Sequence, residues 1–130
     1  MGSLGPAAKF LRVSAPRYDL EDRLISFAVQ ICLLTERFPP TAIAKHVSAQ
    51  IIRSGTSPFA NYGEAQAAES RQDFVHKLKV CLKELRETLA WLKFAERMNF
   101  CPDQLDAAKR ECDELVSIFV TSVRTATAKM

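Results

Sequence analysis

Leu20, Leu24, Phe27, Ile31, Leu34 and Phe38 recur at spacings of three and four, which lines them along one face of an α-helix. Asp19 stands where an N-cap is needed, and Glu21 and Asp22 put negative charge in the first turn, where the helix dipole favours it. Pro39 and Pro40 end the stretch, because neither can donate a backbone hydrogen bond. A second helix is predicted from about Thr41 to Ala68, with Ile43, Val47, Ile51 and Ala65 on its apolar side. Its middle, Arg53-Ser-Gly-Thr-Ser-Pro58, carries a glycine and a proline, so a kink is expected between Ser54 and Pro58, with a full break into two helices as the alternative.

Ser70, followed three residues later by Asp73, resembles a capping box and opens a third helix. Phe74, Leu78, Cys81, Leu85, Thr88, Leu92 and Ala95 form its apolar stripe, widened by Leu82 and Leu89. Asn99 to Pro102 form the next turn, with Pro102 suited to the first helical position. Leu105, Ala108, Cys112, Leu115, Phe119, Ser122 and Ala126 complete a fourth helix. Four amphipathic helices joined by short connections pack antiparallel, so the expected fold is all-α, an up-down four-helix bundle with a kinked second helix. Residues 1–17, with Gly2, Gly5, Pro6 and Pro16 and little apolar periodicity, read as a mobile N-terminal tail, which leaves 18–126 as the bundle domain.

A length of 130 residues fits one domain, and only 4 glycines leave few tight turns for an all-β alternative. The formal net charge of +3 is small but unevenly placed. Residues 71–97 hold seven basic and four acidic side chains, and residues 1–18 are basic, whereas the first and fourth helical stretches are acidic. The four cysteines, at 32, 81, 101 and 112, show no C-x-x-C pair, and no histidine stands at zinc-finger spacing, so no metal site is expected. Three of them fall on apolar stripes as buried thiols of a reducing cytosol, and Cys101, in a loop, is the one open to reaction. The N-terminus lacks a signal peptide's apolar run, and Pro6 spoils the myristoylation pattern that Gly2 would begin. No apolar run is long enough to span a bilayer, so a cytoplasmic protein without membrane contact is expected.

Candidate chemistry is sparse. Asp73-x-x-His76 resembles half of the Glu-x-x-His pairs of di-iron bundles, but the second motif and the further carboxylates are missing. No phosphate-cradling loop or nucleophile elbow is visible, so neither an enzyme nor a cofactor is expected. On the third helix, Lys79, Lys83, Arg86, Lys93 and Arg97 fall within a stripe about 80° wide. Such a flank suits phosphates, to which Lys and Arg bind through charge and counterion release. It equally suits solvation, or pairing with the acidic helices of a neighbouring subunit. The opposite flank holds Asp73, Glu84, Glu87 and Trp91; Trp91 suits an interface, or half-covers the core of its own chain. On the second helix Gln50, Arg53, Ser57, Asn61 and Glu64 project within about 60° of one another. Polar groups beside a core need partners, and an Arg53–Glu64 or an Arg53–Glu84/Glu87 network would set the register of helices two and three.

Taken together, Tyr18-Asp-Leu-Glu, Arg53-Ser-Gly-Thr-Ser-Pro-Phe-Ala-Asn61-Tyr-Gly-Glu64-Ala, Ser70-Arg-Gln-Asp-Phe-Val-His-Lys-Leu and Lys83-Glu84-Leu-Arg-Glu87-Thr-Leu-Ala-Trp91-Leu resemble the bacterial 23S rRNA-intervening sequence proteins over residues 18–126. The resemblance implies a cytosolic homo-oligomer, a ring of five bundles. It also implies similarity to the accessory variability determinant of diversity-generating retroelements, which binds nucleic acid and a reverse transcriptase. The polar residues characteristic of the family fall on Arg53, Asn61, Glu64, Glu84 and Glu87, and Ala65 stands where many relatives carry a glycine. The expected function is therefore a non-enzymatic, ring-forming homopentamer that binds RNA or DNA. The alternative is an assembly scaffold or adaptor whose partner is a protein.

Overall fold

Three of the four helices begin on the capping side chain that the sequence places there. In the computed structural model, which describes residues 19–130, Asp19 accepts the Glu21 amide at 3.0 Å and opens α1 (Leu20–Thr35). Thr41 accepts the Ala44 amide at 3.2 Å before α2 (Ala42–Gln66), and Ser70 the Asp73 amide at 3.0 Å before α3 (Arg71–Arg97). Each side chain satisfies one of the amides that a helix start leaves without a partner. Pro102 opens α4 (Pro102–Ala128), where its missing N–H costs nothing. The tail expected over residues 1–17, and Tyr18, lie outside the described residues.

The helices run up, down, up and down, each packing against two neighbours: α1 on α2, α2 on α3, α3 on α4, and α4 back on α1. No strand occurs among the described residues. The inward stripes of α3 and α4 are buried as predicted, from Phe74 to Ala95 and from Leu105 to Ala126. On α2 one position moves. Ile43 is exposed and Ala44 takes the inward place, because the helix begins at Ala42 and the turn carrying Val47 and Ile51 continues back through Ala44. Helix α1 ends at Thr35, ahead of the two prolines. Phe38 precedes Pro39 and is thereby kept out of the helical region, so the chain closes with tighter bonds, Arg37 N–H to Leu34 O at 3.0 Å and Phe38 N–H to Thr35 O at 3.1 Å.

Helix α2 is unbroken through Pro58, so the two-helix alternative does not occur. Ser54, Gly55 and Pro58 all face inward, and packing holds this turn where propensity would not. A Cβ on Gly55 would stand 2.7 Å from Ile31 Cδ1 and 3.6 Å from Thr88 Cγ2, so the absence of a side chain lets α1, α2 and α3 converge there. Beside it the hydroxyls of Ser54 and Thr88 meet at 2.7 Å, fully buried, and Thr88 lies 2.8 Å from the Glu84 carbonyl. If Thr88 donates to that carbonyl and Ser54 to Thr88, both hydroxyl protons are placed.

At one end of the bundle, Asn99 adopts φ 57° and closes α3 in a Schellman motif, with Phe100 N–H on Ala95 O at 3.1 Å and Asn99 N–H on Glu96 O at 3.0 Å. The turn carries Phe100 onto Phe38, ring centroids 5.2 Å apart, which ties the α1–α2 connection to the α3–α4 connection. Cys81 and Cys112 are buried thiols that donate to the Pro58 carbonyl at 3.5 Å and the Leu85 carbonyl at 3.3 Å. Cys101 departs from expectation: it is buried at the start of α4 and 2.6 Å from Gln104 Oε1, so it is not an open loop thiol.

Thr88→Val is expected to cost about 1–3 kcal/mol, since it leaves the Ser54 hydroxyl without its buried partner. Adding Ser54→Ala should cost little more; urea titrations of both chains measure this, and fully additive losses would contradict the pairing. Burial pushes the Cys81 and Cys112 thiols from 9.0 up to about 12, and Tyr62 from 10.0 to about 12. The native state therefore keeps protons that the unfolded chain releases, so this contribution is intact below about pH 9 and is lost as pH rises toward about 12. The urea midpoint should fall across that interval, and less steeply in Cys81→Ala/Cys112→Ala; equal slopes would show that the thiols do not drive the decline.

Candidate functional site

Burying Phe74, Leu78, Leu85 and Leu92 fixes the rotation of α3 and therefore what its two flanks present. Lys79, Lys83, Arg86, Lys93 and Arg97 are all exposed, and among the described residues none of the five makes an ion pair. Other cations are engaged. Lys77 holds Glu64 at 2.6 Å, Lys109 holds Glu96 at 2.7 Å, and Arg23 on α1 grips Glu111 at 2.7 Å and Glu114 at 2.9 Å on α4. Positive charge on the free flank of α3 is therefore not cancelled within the chain, and repulsion among neighbours is relieved only by solvent, salt or a bound anion.

The other flank is a polar joint with α2. Arg53 donates through Nη1 to Glu84 Oε1 at 3.3 Å and through Nη2 to Gln50 Oε1 at 3.2 Å, and also reaches Glu87 Oε2. Trp91 Nε1 donates to the same Glu87 carboxylate at 3.3 Å. The indole is half-buried, its ring set edge-on to His46 at 5.9 Å and to Phe94 at 5.8 Å. The Arg53 side chain is 52% exposed and that of Glu84 only 14%, so the joint orders the α2–α3 surface more than it stabilises the fold.

The five residues of the expected polar network do not form one network. Arg53, Glu84 and Glu87 come together, but Glu64 faces Lys77, and Asn61 turns back along its own helix to the Ser57 carbonyl at 3.1 Å and hydroxyl at 2.8 Å. The Lys77 ammonium is held above its ordinary pKa by its hydrogen bond to Glu64 and by that carboxylate's charge. Of the two networks weighed from the sequence, the Arg53–Glu84/Glu87 arrangement is the one present. Asp73 and His76 are both exposed, and among the described residues no three His, Cys, Asp or Glu side chains are grouped so as to hold a metal ion.

One surface escaped the sequence reading. Ile25, Val29 and Leu33 lie outward on α1, and with Ala28, Cys32 and Phe59 they frame an open apolar groove of about 250 Å³ between α1 and α2. Its signal was present: from Leu24 to Leu34 only Ser26 and Gln30 are polar. A helix so apolar has more grease than one inward stripe needs. A second set of exposed apolar side chains comprises Ile43 on α2 and Phe94 and Met98 on α3, with the Phe94 ring edge-on to Trp91. No helix among the described residues is long and apolar enough to cross a membrane.

Comparison with known proteins rests on the same span. The sequence pattern of the family described as 23S rRNA-intervening sequence protein matches residues 19–121. A crystal structure from Bacteroides thetaiotaomicron VPI-5482, of a protein with unknown function from the S23 ribosomal protein family, is similar, with 32% identity and a TM-score of 0.71. The match covers 82% of this chain and 100% of that one. No curated protein matches.

Proposed function

We propose that this chain, which belongs to the 23S rRNA-intervening sequence protein family, is a non-enzymatic cytoplasmic binding protein that assembles with copies of itself and holds nucleic acid on the outward flank of α3. The observation that carries the reading is the row of five exposed cations, Lys79, Lys83, Arg86, Lys93 and Arg97, with no carboxylate partner among the described residues. From Lys79 to Arg97 the row runs roughly 27 Å along α3, long enough to follow several successive phosphates. Charge of this kind supports RNA or DNA without selecting a sequence.

Self-assembly supplies what one bundle lacks. A net charge of +3 makes a weak single site, whereas a homopentamer repeats the flank five times, and linked weak sites bind with avidity. The exposed apolar positions of α1 and α3 favour such an assembly, since contiguous apolar surface marks a contact. The likeness to the accessory variability determinant of diversity-generating retroelements is part of the same proposal. The basic residues within 1–18 add to the positive charge of each copy.

Binding of single-stranded RNA and of duplex DNA should be measured over a salt series for the wild type and for Lys79→Glu/Lys83→Glu/Arg86→Glu, with sedimentation of both. The wild type should bind, more weakly as salt rises. The variant should lose at least about tenfold at low salt, with a log–log salt slope shallower by about two to three, the oligomer intact. Binding that is absent, or that the triple reversal leaves unchanged, would refute nucleic acid as the ligand; dissolution of the oligomer would reassign the cations to a contact between subunits.

A further inference from the structure

The geometry points to duplex nucleic acid as the form held beside α3, with a second line of phosphate contacts supplied by Ser117, Thr121 and Arg124 of α4. This rests on the nucleic-acid binding proposed above and deepens it by naming the form of the ligand and three further residues that meet it. Arg124 is exposed and makes no ion pair among the described residues, unlike Arg110 on the same helix, which holds Asp106 at 3.5 Å. Ser117 and Thr121 are exposed, and neither hydroxyl is committed to a hydrogen bond among the described residues. At spacings of four and three, the three side chains lie within about 60° of one another on α4. Arginine, serine and threonine all donate to phosphate oxygens.

Two contacts across the antiparallel pair place this strip beside the α3 cations. Lys109 reaches Glu96 at 2.7 Å, and the Cys112 thiol reaches the Leu85 carbonyl at 3.3 Å. Stepping forward from Lys109 to Arg124, and equally far back from Glu96, ends at Cys81; the same step taken from Cys112 and Leu85 ends at Asp73. Arg124 is therefore level with the part of α3 that carries Lys79. The same counts set Thr121 between His76 and Glu84, and Ser117 between Val80 and Thr88, alongside Lys83 and Arg86. Rotation agrees with this register. Arg124 lies about 60° round α4 from Lys109, which faces α3, and about 140° from Glu111, which faces α1. On α3, Lys93 and Arg86 lie about 60° and 80° from Glu96, on the side toward α4.

Adjacent helix axes lie roughly 8–10 Å apart, so these donors and the α3 cations make a surface two helices wide, where α3 alone would make a line. A duplex presents two backbones on either side of a groove roughly 6 to 12 Å across, and two parallel rows of donors can meet both. A single strand has one backbone, and proteins hold it in a groove whose aromatic rings take its bases. The outer rings of α3 are turned elsewhere. Phe94 lies within about 20° of Glu87, which faces α2, and is set edge-on to Trp91 at 5.8 Å. Asp113 is exposed on the same side of α4, roughly 16 Å before Arg124, and repels phosphate there. The second line of contact is thereby confined to the Arg124 end.

The test is a titration, at low and moderate salt, of a DNA duplex of about 20 base pairs and of each of its separated strands. The chains compared are the wild type, Arg124→Glu, Ser117→Glu/Thr121→Glu and Asp113→Lys. All four positions are exposed, so helical content by circular dichroism and mass by sedimentation should be unchanged. The wild type should hold the duplex at least about fivefold more tightly than either strand. Arg124→Glu should weaken duplex binding about tenfold, with a log–log salt slope shallower by about one to two, and weaken strand binding less than about twofold. Ser117→Glu/Thr121→Glu should act in the same direction, and Asp113→Lys should tighten the duplex. Strands bound as tightly as the duplex, or a Glu variant that leaves duplex binding unchanged or weakens both forms equally, would overturn the two-helix face while leaving nucleic acid on α3 standing. An Arg124→Glu chain of altered mass would overturn it by making Arg124 a contact between subunits. A wild type that binds neither form would overturn both this inference and the proposed function.

Discussion

Three helices converge at Gly55, and the rest of the molecule is arranged around that convergence. Ile31 of α1 fills the space where a Cβ would be, and Thr88 of α3 closes the other side through its methyl and its hydroxyl bond to Ser54. Because α2 is one rod through Pro58, the turn that points Ser54 and Gly55 inward also points Arg53 outward, above Glu84 and Glu87. Buried and surface contacts thus fix the same register between α2 and α3. That register, and the greasy stripe behind it, decides which side chains of α3 are left for solvent.

The four outer faces differ in chemistry for the same reason. Between α4 and α1 the bidentate grip of Arg23 on Glu111 makes a closed polar seam. The α1–α2 face is apolar, and the α2–α3 face is a polar joint with an aromatic edge at one end. The outward flank of α3 is cationic and unpaired among the described residues. The chemistries of these faces are segregated instead of mixed. Segregation of this kind is what the proposed function draws on, with one face for a neighbouring copy and another for a polyanion.

Most of the architecture was legible in the sequence because burying a stripe spaced by three and four leaves few alternatives, and because caps are local. Asp19 and Ser70 need only their own next turn to act. What the sequence hid was relational. Ile43 and Ala44 are neighbours, and which one turns inward depends on the phase of α2 against two other helices. The polar stripe of α2 reads as one network because Arg53, Asn61 and Glu64 share a side, yet Lys77, nearly two turns into α3, takes Glu64 first. The outer stripe of α1 is hidden for a different reason: the inward apolar face already satisfies the bundle, so periodicity assigns no place to Ile25, Val29 and Leu33. Cys101 was misplaced because its burial is set by the turn that Asn99 makes, a backbone conformation with only a weak residue signature.

Continuity of α2 through Pro58, where Gly55 joins it to its neighbours, underlies the whole arrangement, and native-state hydrogen exchange examines that most directly. Amides from Ile51 to Gly55 and from Leu85 to Thr88 should exchange only through global unfolding, with opening free energies equal to the stability measured in denaturant. Exchange of the Ile51–Gly55 amides at much lower cost than those of α3, as two short helices hinged at Pro58 would show, would contradict it.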